Sequence, residues 1–350
     1  MSAQNALLRF LNPSTLSVPL LYLSQSDLVQ LGAASSQHYI TAVTQGLAQH
    51  AAGSVVQPIK PYLRWPEANH IADRIIAMPC YLGGETPAAG IKWVGSREAN
   101  GRKFGLPRAS AVIILNDVDT NFPIAVLEGS LISGMRTAAV TAIAAKYLAN
   151  PGFTSVACIG CGPIAKMQIV TLIEQFPAIE NIYLFDLNPH ASEQFSRHFS
   201  ESYPQINFLP AASARQAVAQ GDLVVTCTVT DSPYIEFDWI KPGAFVSNVS
   251  IMDLHKEVFE QANKIVVDDW DQCNREKKII NQLVLEGRFS RDQLHAELGE
   301  LVVGKKTGRE NQDEIIVLNA MGMAVDDIAC ARHFYDLAKS ESVGTSLSLF

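Results

Sequence analysis

The sequence predicts an α/β protein: a doubly wound, mostly parallel sheet built to bind a dinucleotide, joined to a strand-rich α+β domain assembled from both ends of the chain. Three observations carry that expectation. An apolar run at 156–159 passes directly into Gly160-x-Gly162-x-x-Ala165 and a helical pattern over 165–176. A second apolar strand, 181–186, ends in the carboxylate of Asp186, 24 residues beyond Gly162. Strand and helix patterns then alternate to about residue 319, whereas residues 20–128 read mostly as strands.

Residues 156–159 have the short apolar character of a strand covered on both faces. Gly160 permits a tight turn, Gly162 lets the backbone approach a phosphate, and Ala165 lets the helix pack close to the strand. A helix N-terminus at this point offers unpaired N–H groups and partial positive charge to a pyrophosphate. Asp186 stands where a dinucleotide fold of the Rossmann type places the acid that bonds the adenosine ribose. A carboxylate there repels a 2'-phosphate, and Leu187, Asn188, Pro189 and His190 supply no Arg to attract one. NAD is therefore expected rather than NADP.

From the N-terminus, residues 1–18 read as a loose leader, 20–23 as a strand, and Ser24-x-x-Asp27 as the N-cap of a helix. A longer helix is expected over about 36–50. Stretches 58–64, 70–79 and 90–95 read as successive strands, and 109–117 with 123–128 as a hairpin. Basic residues recur at the strand ends: Lys60, Arg64, Arg74, Lys92, Arg97 and Arg108. Solvated edges account for most Lys and Arg. Arg74 and Lys92 differ, because the first is followed by Ile75 and Ile76 and the second lies between Ile91 and Trp93. Such side chains bury their stems and turn their heads toward a partner, and a carboxylate suits both a guanidinium fork and an ammonium point charge. Residues 128–148 form a turn and an Ala-rich helix that bridges the domains. Arg136 and Thr137 near its start can bond a phosphate or a substrate carboxylate, or Thr137 or Ser133 can cap the helix.

Past Asp186, helices at 191–200 and 212–219 flank a strand at 206–209. A strand over 222–230 ends in hydroxyls at the carboxyl edge of the sheet, where the second half of the cofactor belongs. Residues 243–250 bring a strand into a polar turn carrying Asp253 and His255; either can accept a proton near the nicotinamide, and Asp253 can equally cap a helix. Asp268 and Asp269 end the next strand and read as helix caps. Residues 286–306 read as helix and then loop. A strand at 314–319 precedes a final helix expected to return to the first domain. The resulting division is a substrate domain at 1–135 and 320–350 and a dinucleotide domain at 136–319.

The length of 350 residues suits two domains, each with its own core. A formal charge of −8 with no basic stripe excludes a nucleic-acid binder, although small anions can be held locally. Six scattered Cys read as the reduced, buried thiols of a cytoplasmic protein. Cys158-x-x-Cys161 straddles a strand end and the glycine turn, with no second Cys or His pair to complete a metal site, so no metal is expected. No apolar run approaches the ~20 residues that a membrane span needs.

Arg74-Ile-Ile-Ala-Met-Pro79, Gly90-Ile-Lys92, Met135-Arg136-Thr137, Gly160-Cys-Gly162 and Asn319-Ala-Met-Gly322 followed by Asp326-Asp327 together resemble the ornithine cyclodeaminase/mu-crystallin family over nearly the whole chain. Stretches 70–79, 226–231, 249–258 and 266–278 resemble its siderophore-pathway branch. The resemblance implies a homodimer formed through the first domain. It further implies NAD-dependent oxidation of N-(1-amino-1-carboxy-2-ethyl)-glutamate and hydrolysis to 2-oxoglutarate and L-2,3-diaminopropionate. By the same resemblance Arg74 and Lys92 bind substrate carboxylates and Arg136 lies close to cofactor and substrate, with Thr137 beside it. Pro163 and Ile164 fall at the diphosphate turn, Asp186 at the ribose, and Thr228 and Ser250 toward the nicotinamide. Asp253, His255 and Lys92 form the expected catalytic group. The turn Asp of the cyclodeaminases aligns with Ile251, which weakens an ornithine reading. Ornithine cyclodeamination, ketimine reduction, and mu-crystallin-like binding of a dinucleotide and a small ligand remain the alternatives.

Overall fold

In the computed structural model, which describes residues 18–68, 70, 72–250, 252–276 and 278–349, the strands fall into two sheets of eight. Nearly all of the expected leader, and Ile251, lie outside the described residues. The first sheet begins with β1 (Pro19–Leu23), β2 (Val55–Val56), β3 (Tyr62–Leu63) and β4 (Arg74–Leu82). It continues with β5 (Ala88–Ser96), β6 (Ala109–Asn116) and β7 (Pro123–Glu128). The second holds β8 (Ser155–Ile159), β9 (Asn181–Phe185), β10 (Asn207–Pro210), β11 (Leu223–Thr226), β12 (Phe245–Asn248), β13 (Lys264–Val267), β14 (Ala296–Glu297) and β15 (Ile316–Leu318). A last strand, β16 (Thr345–Ser348), returns to pair antiparallel with β1.

The first sheet runs β16-β1-β7-β6-β5-β4-β2, with β3 also on β4; β1 and β7 are parallel and its other pairs antiparallel. Alternation sorts its side chains. Met78, Cys80, Leu82, Lys92, Ile113 and Leu115 are buried on the inner face, whereas Tyr81, Trp93 and Val112 are exposed on the other.

The second sheet is parallel throughout, ordered β10-β9-β8-β11-β12-β15-β13-β14. Its central strands are buried at every position because both faces are covered. Val156 and Cys158 of β8 enter one hydrophobic core, while Ala157 and Ile159 enter another. The first of those cores continues without a break to the inner face of the first sheet. Four helices matter for the site: α1 (Ser36–Ala51), α2 (Ser130–Leu148), α3 (Pro163–Gln175) and α4 (Ala324–Glu341). α4 packs on α1, β4 and β5, and so carries the chain from the second sheet back to the first.

Several expected elements are shifted, each for a local reason. Pro58 and Pro61 lack the N–H that a strand ladder needs, and the strand expected at 58–64 contracts to β3. After Thr226, side chains replace the ladder: the N–H groups of Thr230 and Ser232 turn to the hydroxyls of Thr228 and Thr230, so β11 stops well before 230. The helix expected from 286 lies earlier, at Ile279–Leu285, and ends where Gly287 takes a φ of 71°. α2 is capped by Glu128, whose carboxylate accepts the N–H groups of Ser130 (2.6 Å) and Leu131 (3.1 Å). Ser133 and Thr137 lie inside that helix and do not cap it. The expected boundary at 135/136 also falls within α2.

Candidate active site

Chain order places β9 on one side of β8 and β11 on the other, which makes a switch point and opens a crevice at the carboxyl ends of those strands. The glycine turn lies at its mouth. Gly160 has φ 90°, and a Cβ there would stand 2.9 Å from the Cys227 carbonyl carbon, so a side chain is excluded on both counts. A Cβ on Gly162 would meet nothing within 4 Å, which leaves the backbone open to a ligand. Gly162 is the N-cap of α3 and Pro163 its first residue. The following N–H groups, of Ile164 and Ala165, have no partner inside the helix. Asp186, one residue past β9, accepts the N–H groups of Cys161 and Asn188, both at 2.8 Å. An open glycine, a helix N-terminus and an anchored acid together fit a dinucleotide diphosphate and ribose.

Across the crevice a hydroxyl network joins the ends of β11, β12 and β15. Asp253 is fully buried and accepts hydrogen bonds from Thr228 (2.7 Å), Tyr234 (2.9 Å) and Ser250. Burial pushes its carboxyl up from the ordinary value, and the three hydroxyls oppose that shift. Thr226 continues the network to Asn248 (3.0 Å), which donates to Asn319 at 2.7 Å. Asp253 thus fixes Thr228 and Ser250. His255 stands apart, at the start of the helix Lys256–Gln261, in a cavity of about 400 Å³ shared with Glu236, Phe237, Asp238, Glu257 and Gln261.

The deepest part of the site is a buried ionic cluster between the sheets. Lys92 is 1% exposed, and its Nζ lies 2.7 Å from Asp327 Oδ2 and 3.0 Å from Ser133 Oγ. Arg136 gives its Nε to the other oxygen of Asp327 at 3.0 Å and lies 3.7 Å from Asp326. Burial and the nearby Arg136 charge push the Lys92 ammonium down to about 7 against the pull of Asp327. Burial lifts Asp326 to about 7 despite Arg136, with Asp268 and Asp327 adding to the rise. Lys60, also buried, donates to the carbonyls of Met321 (3.0 Å) and Gly322 (2.8 Å), and burial lowers it to about 8. Asp268 accepts the N–H groups of the same two residues, so a cation and an anion grip one turn from opposite sides. Gly322 has φ 75°, and a Cβ there would come within 2.7 Å of Arg136 Nη1.

The structure thus unites Lys92 with Arg136, unites Asp253 with Thr228 and Ser250, and gathers Gly160, Gly162, Pro163, Ile164 and Asp186 at one turn. Arg136 lies in the second turn of α2, drawn to Asp327 rather than to the helix terminus. Thr137 donates to the Ser133 carbonyl at 2.7 Å, and its own carbonyl accepts from Gln168 of α3. Arg74 sits at the rim, its guanidinium 5.3 Å from the Tyr62 ring centre. Asp268 is no helix cap, whereas Asp269 does cap the helix Trp270–Cys273. Sequence reasoning gave no role to Asp326, Asp327, Asn248 or Asn319. An acid pair in the otherwise apolar first two turns of a helix was the available signal. Among the described residues, no three His, Cys, Asp or Glu side chains are placed to hold a metal, and no helix is long and apolar enough to cross a membrane.

Residues 23–342 match the model of the ornithine cyclodeaminase/mu-crystallin family. The chain is 55% identical to the N-((2S)-2-amino-2-carboxyethyl)-L-glutamate dehydrogenase of Staphylococcus aureus, over 95% of this chain and 99% of that one. It superposes on the Thermococcus litoralis Δ1-pyrroline-2-carboxylate reductase in complex with NADH and L-proline with a TM-score of 0.87 and 31% identity, covering 94% of this chain and 100% of that one. An archaeal alanine dehydrogenase dimer with bound NAD gives a TM-score of 0.83 and 32% identity, with 95% of this chain and 100% of that chain covered. With its glycine turn, hydroxyl network and buried ion cluster set in that shared fold, the chain belongs to the ornithine cyclodeaminase/mu-crystallin family.

Proposed function

We propose that this protein is an NAD-dependent dehydrogenase of N-((2S)-2-amino-2-carboxyethyl)-L-glutamate, the compound written above as N-(1-amino-1-carboxy-2-ethyl)-glutamate. It releases 2-oxoglutarate and L-2,3-diaminopropionate as a siderophore precursor. The observation that carries the reading is a row of basic side chains, Arg74 at the rim and Lys60, Lys92 and Arg136 within, that outnumbers the three acids buried among them, Asp268, Asp326 and Asp327, in a protein of net charge −8. A substrate with three carboxylates accounts for that concentration of charge. Identity to the Staphylococcus aureus enzyme supports the same choice.

Gly160, Gly162, Pro163 and Ile164 hold the diphosphate, Asp186 the ribose, and Thr228 and Ser250 the nicotinamide side, with Asp253 positioning both hydroxyls. Thr137 belongs to this side by fixing α2 on α3. NAD, when bound, accepts the hydride that leaves the glutamate Cα. Arg74 and Arg136 bind and orient carboxylates. Lys92 moves the protons: as a neutral amine it donates two N–H bonds, to Asp327 and Ser133, and keeps its lone pair for the substrate. It takes the proton from the secondary ammonium and releases it to solvent; neutral again, it takes one from the water that attacks the C=N carbon and returns that proton to the nitrogen as the C–N bond breaks. Asp253, with its oxygens engaged by three hydroxyls, is assigned to positioning, and His255 to the outer cavity.

The first sheet with α4 forms the substrate domain and the second sheet the cofactor domain, with α2 joining them. The exposed apolar face with Tyr81, Trp93 and Val112 forms the homodimer contact. Six free thiols and the use of NAD suit the cytoplasm.

The test is NADH absorbance with this substrate and NAD, products identified by mass, and ornithine in parallel. NADH formed with 2-oxoglutarate and diaminopropionate is the expected result. Proline and ammonia from ornithine, or tight binding without turnover, would overturn it.

A further inference from the structure

The chain from Asp268 to Lys278, distinctive in sequence, contributes Asp268 and Cys273 to the turn that Lys60 grips, and Cys273 Sγ lies 3.2 Å from the Asn319 carbonyl. Its remaining polar residues are not explained by the reaction. Three guanidiniums surround one aromatic ring: Arg275 at 5.0 Å, Arg74 at 5.3 Å and Arg64 at 5.5 Å from the centre of Tyr62. Cation–π attraction favours each singly, but three like charges at one ring repel one another. Lys278 adds a fourth. It is 3% exposed, and burial, followed by the charges of Arg74 and Arg64, pushes its ammonium down to about 8. Among the described residues, Glu276 lies 3.7 Å from Arg64 and 3.3 Å from Arg275. Cations gathered this closely raise one another's cost of burial, and an anionic ligand lowers it.

A second observation points the same way. Arg275 Nη1 is buried and has no hydrogen-bond partner among the described residues. An unsatisfied guanidinium N–H in a cluster of guanidiniums is a donor suited to a carboxylate. The cluster also adjoins the reaction site, because Lys60 feels the charges of both Arg136 and Arg275. On the first sheet, Arg74 stands opposite Ser96 and Lys92 opposite Met78, four positions along the strand pair. That separation is about 13 Å at the usual rise of a strand, the span of an extended substrate rather than of one carboxylate.

We propose that Arg64, Arg275 and Lys278 form, beside Arg74 and Tyr62, a second carboxylate subsite that holds the outer carboxylate of a multiply charged substrate and selects it over monocarboxylate imino acids. The inference takes the identity of its ligand from the proposed function; the subsite itself stands on the cluster.

The experiment measures binding of 2-oxoglutarate and of pyruvate to the NADH-loaded enzyme by calorimetry, in wild type and in the Arg275→Gln and Lys278→Met variants. KM and kcat for the tricarboxylate substrate are read in the same preparations. Loss of a hydrogen bond to a charged group weakens binding by roughly 10- to 100-fold. The expected result is that loss for the dicarboxylate, a change under about threefold for pyruvate, and a raised KM at nearly constant kcat, as for interactions made equally in ground and transition states. Arg64→Gln, on a side chain one-third exposed, replaces either variant that fails to fold by circular dichroism. Equal weakening of both anions, unchanged dicarboxylate binding, or no dicarboxylate binding by wild type overturns the subsite. If wild type does not oxidise the tricarboxylate while the variants still lose 2-oxoglutarate, the subsite stands and the proposed reaction falls.

Discussion

Replacing Asp327 by Asn tests the buried cluster directly. The change conserves shape and removes the one carboxylate that both Lys92 (2.7 Å) and Arg136 (3.0 Å) share. Asp327 is fully buried, so water cannot take its place. Breaking a buried ion pair from one side costs about 3–5 kcal/mol, because the abandoned charge stays desolvated. Unfolding entropy of about 2.1 cal/mol/K per residue gives ~0.7 kcal/mol/K for a chain of this length, so Tm should fall by roughly 4–7 °C. The cost depends on pH with a definite sign. Burial holds folded Lys92 at about 7, below its value in the unfolded chain. Between those values the unfolded state binds the extra proton, and stability rises with pH. Losing Asp327 lowers folded Lys92 further, so the Lys92 share of the deficit is largest when the amine is forced to carry charge and shrinks as pH rises toward about 7, above which the amine is neutral in both proteins. Thermal unfolding of Asp327→Asn, Lys92→Met and the double variant makes the cycle. At low pH the share owed to Lys92 should return in the double variant, while the share owed to Arg136, still charged and short of the same carboxylate, remains. Additive losses, or an Asp327→Asn Tm within about 1 °C of wild type, would refute the coupling.

Three more outcomes follow from the site. With Lys92 near 7 acting as proton acceptor, kcat/KM should rise with pH through about 7, and Lys92→Met should abolish turnover; a flat profile over about pH 6–8 excludes Lys92 as the base. Asp186→Ser removes the acceptor of two backbone N–H groups and the acid expected at the ribose, so NAD should bind about tenfold more weakly while NADP improves; unchanged NAD binding by fluorescence titration would remove Asp186 from the cofactor site. Trp93→Arg places a charge on the exposed apolar sheet face, and sedimentation should show dimer passing to monomer; an unchanged mass assigns the face to something else.

Periodicity made the second sheet readable almost strand by strand, because parallel strands covered on both faces are apolar runs and their connections are amphipathic helices. The same logic exposed the glycine turn and Asp186, which are local in sequence. It could not expose the ion cluster, whose members come from β5, α2 and α4 and meet only through the fold: Lys92 and Asp327 are 235 residues apart. Nor could it tell that Arg136 would be drawn from a helix terminus toward an acid on another helix. Apolar flanks did mark Lys92 as semi-buried, and the structure carries this further, since the ammonium itself is enclosed. That enclosure gives the site its chemistry. An exposed Lys would be a permanent cation and only a carboxylate binder. Enclosed beside Arg136, with Asp327 and Ser133 occupying its N–H bonds, the same amine can lose its proton near neutral pH and take one from substrate or water. Under the proposed reaction, carboxylate recognition then falls mainly to guanidiniums, which cannot deprotonate, in keeping with an outer cluster of three Arg around Tyr62.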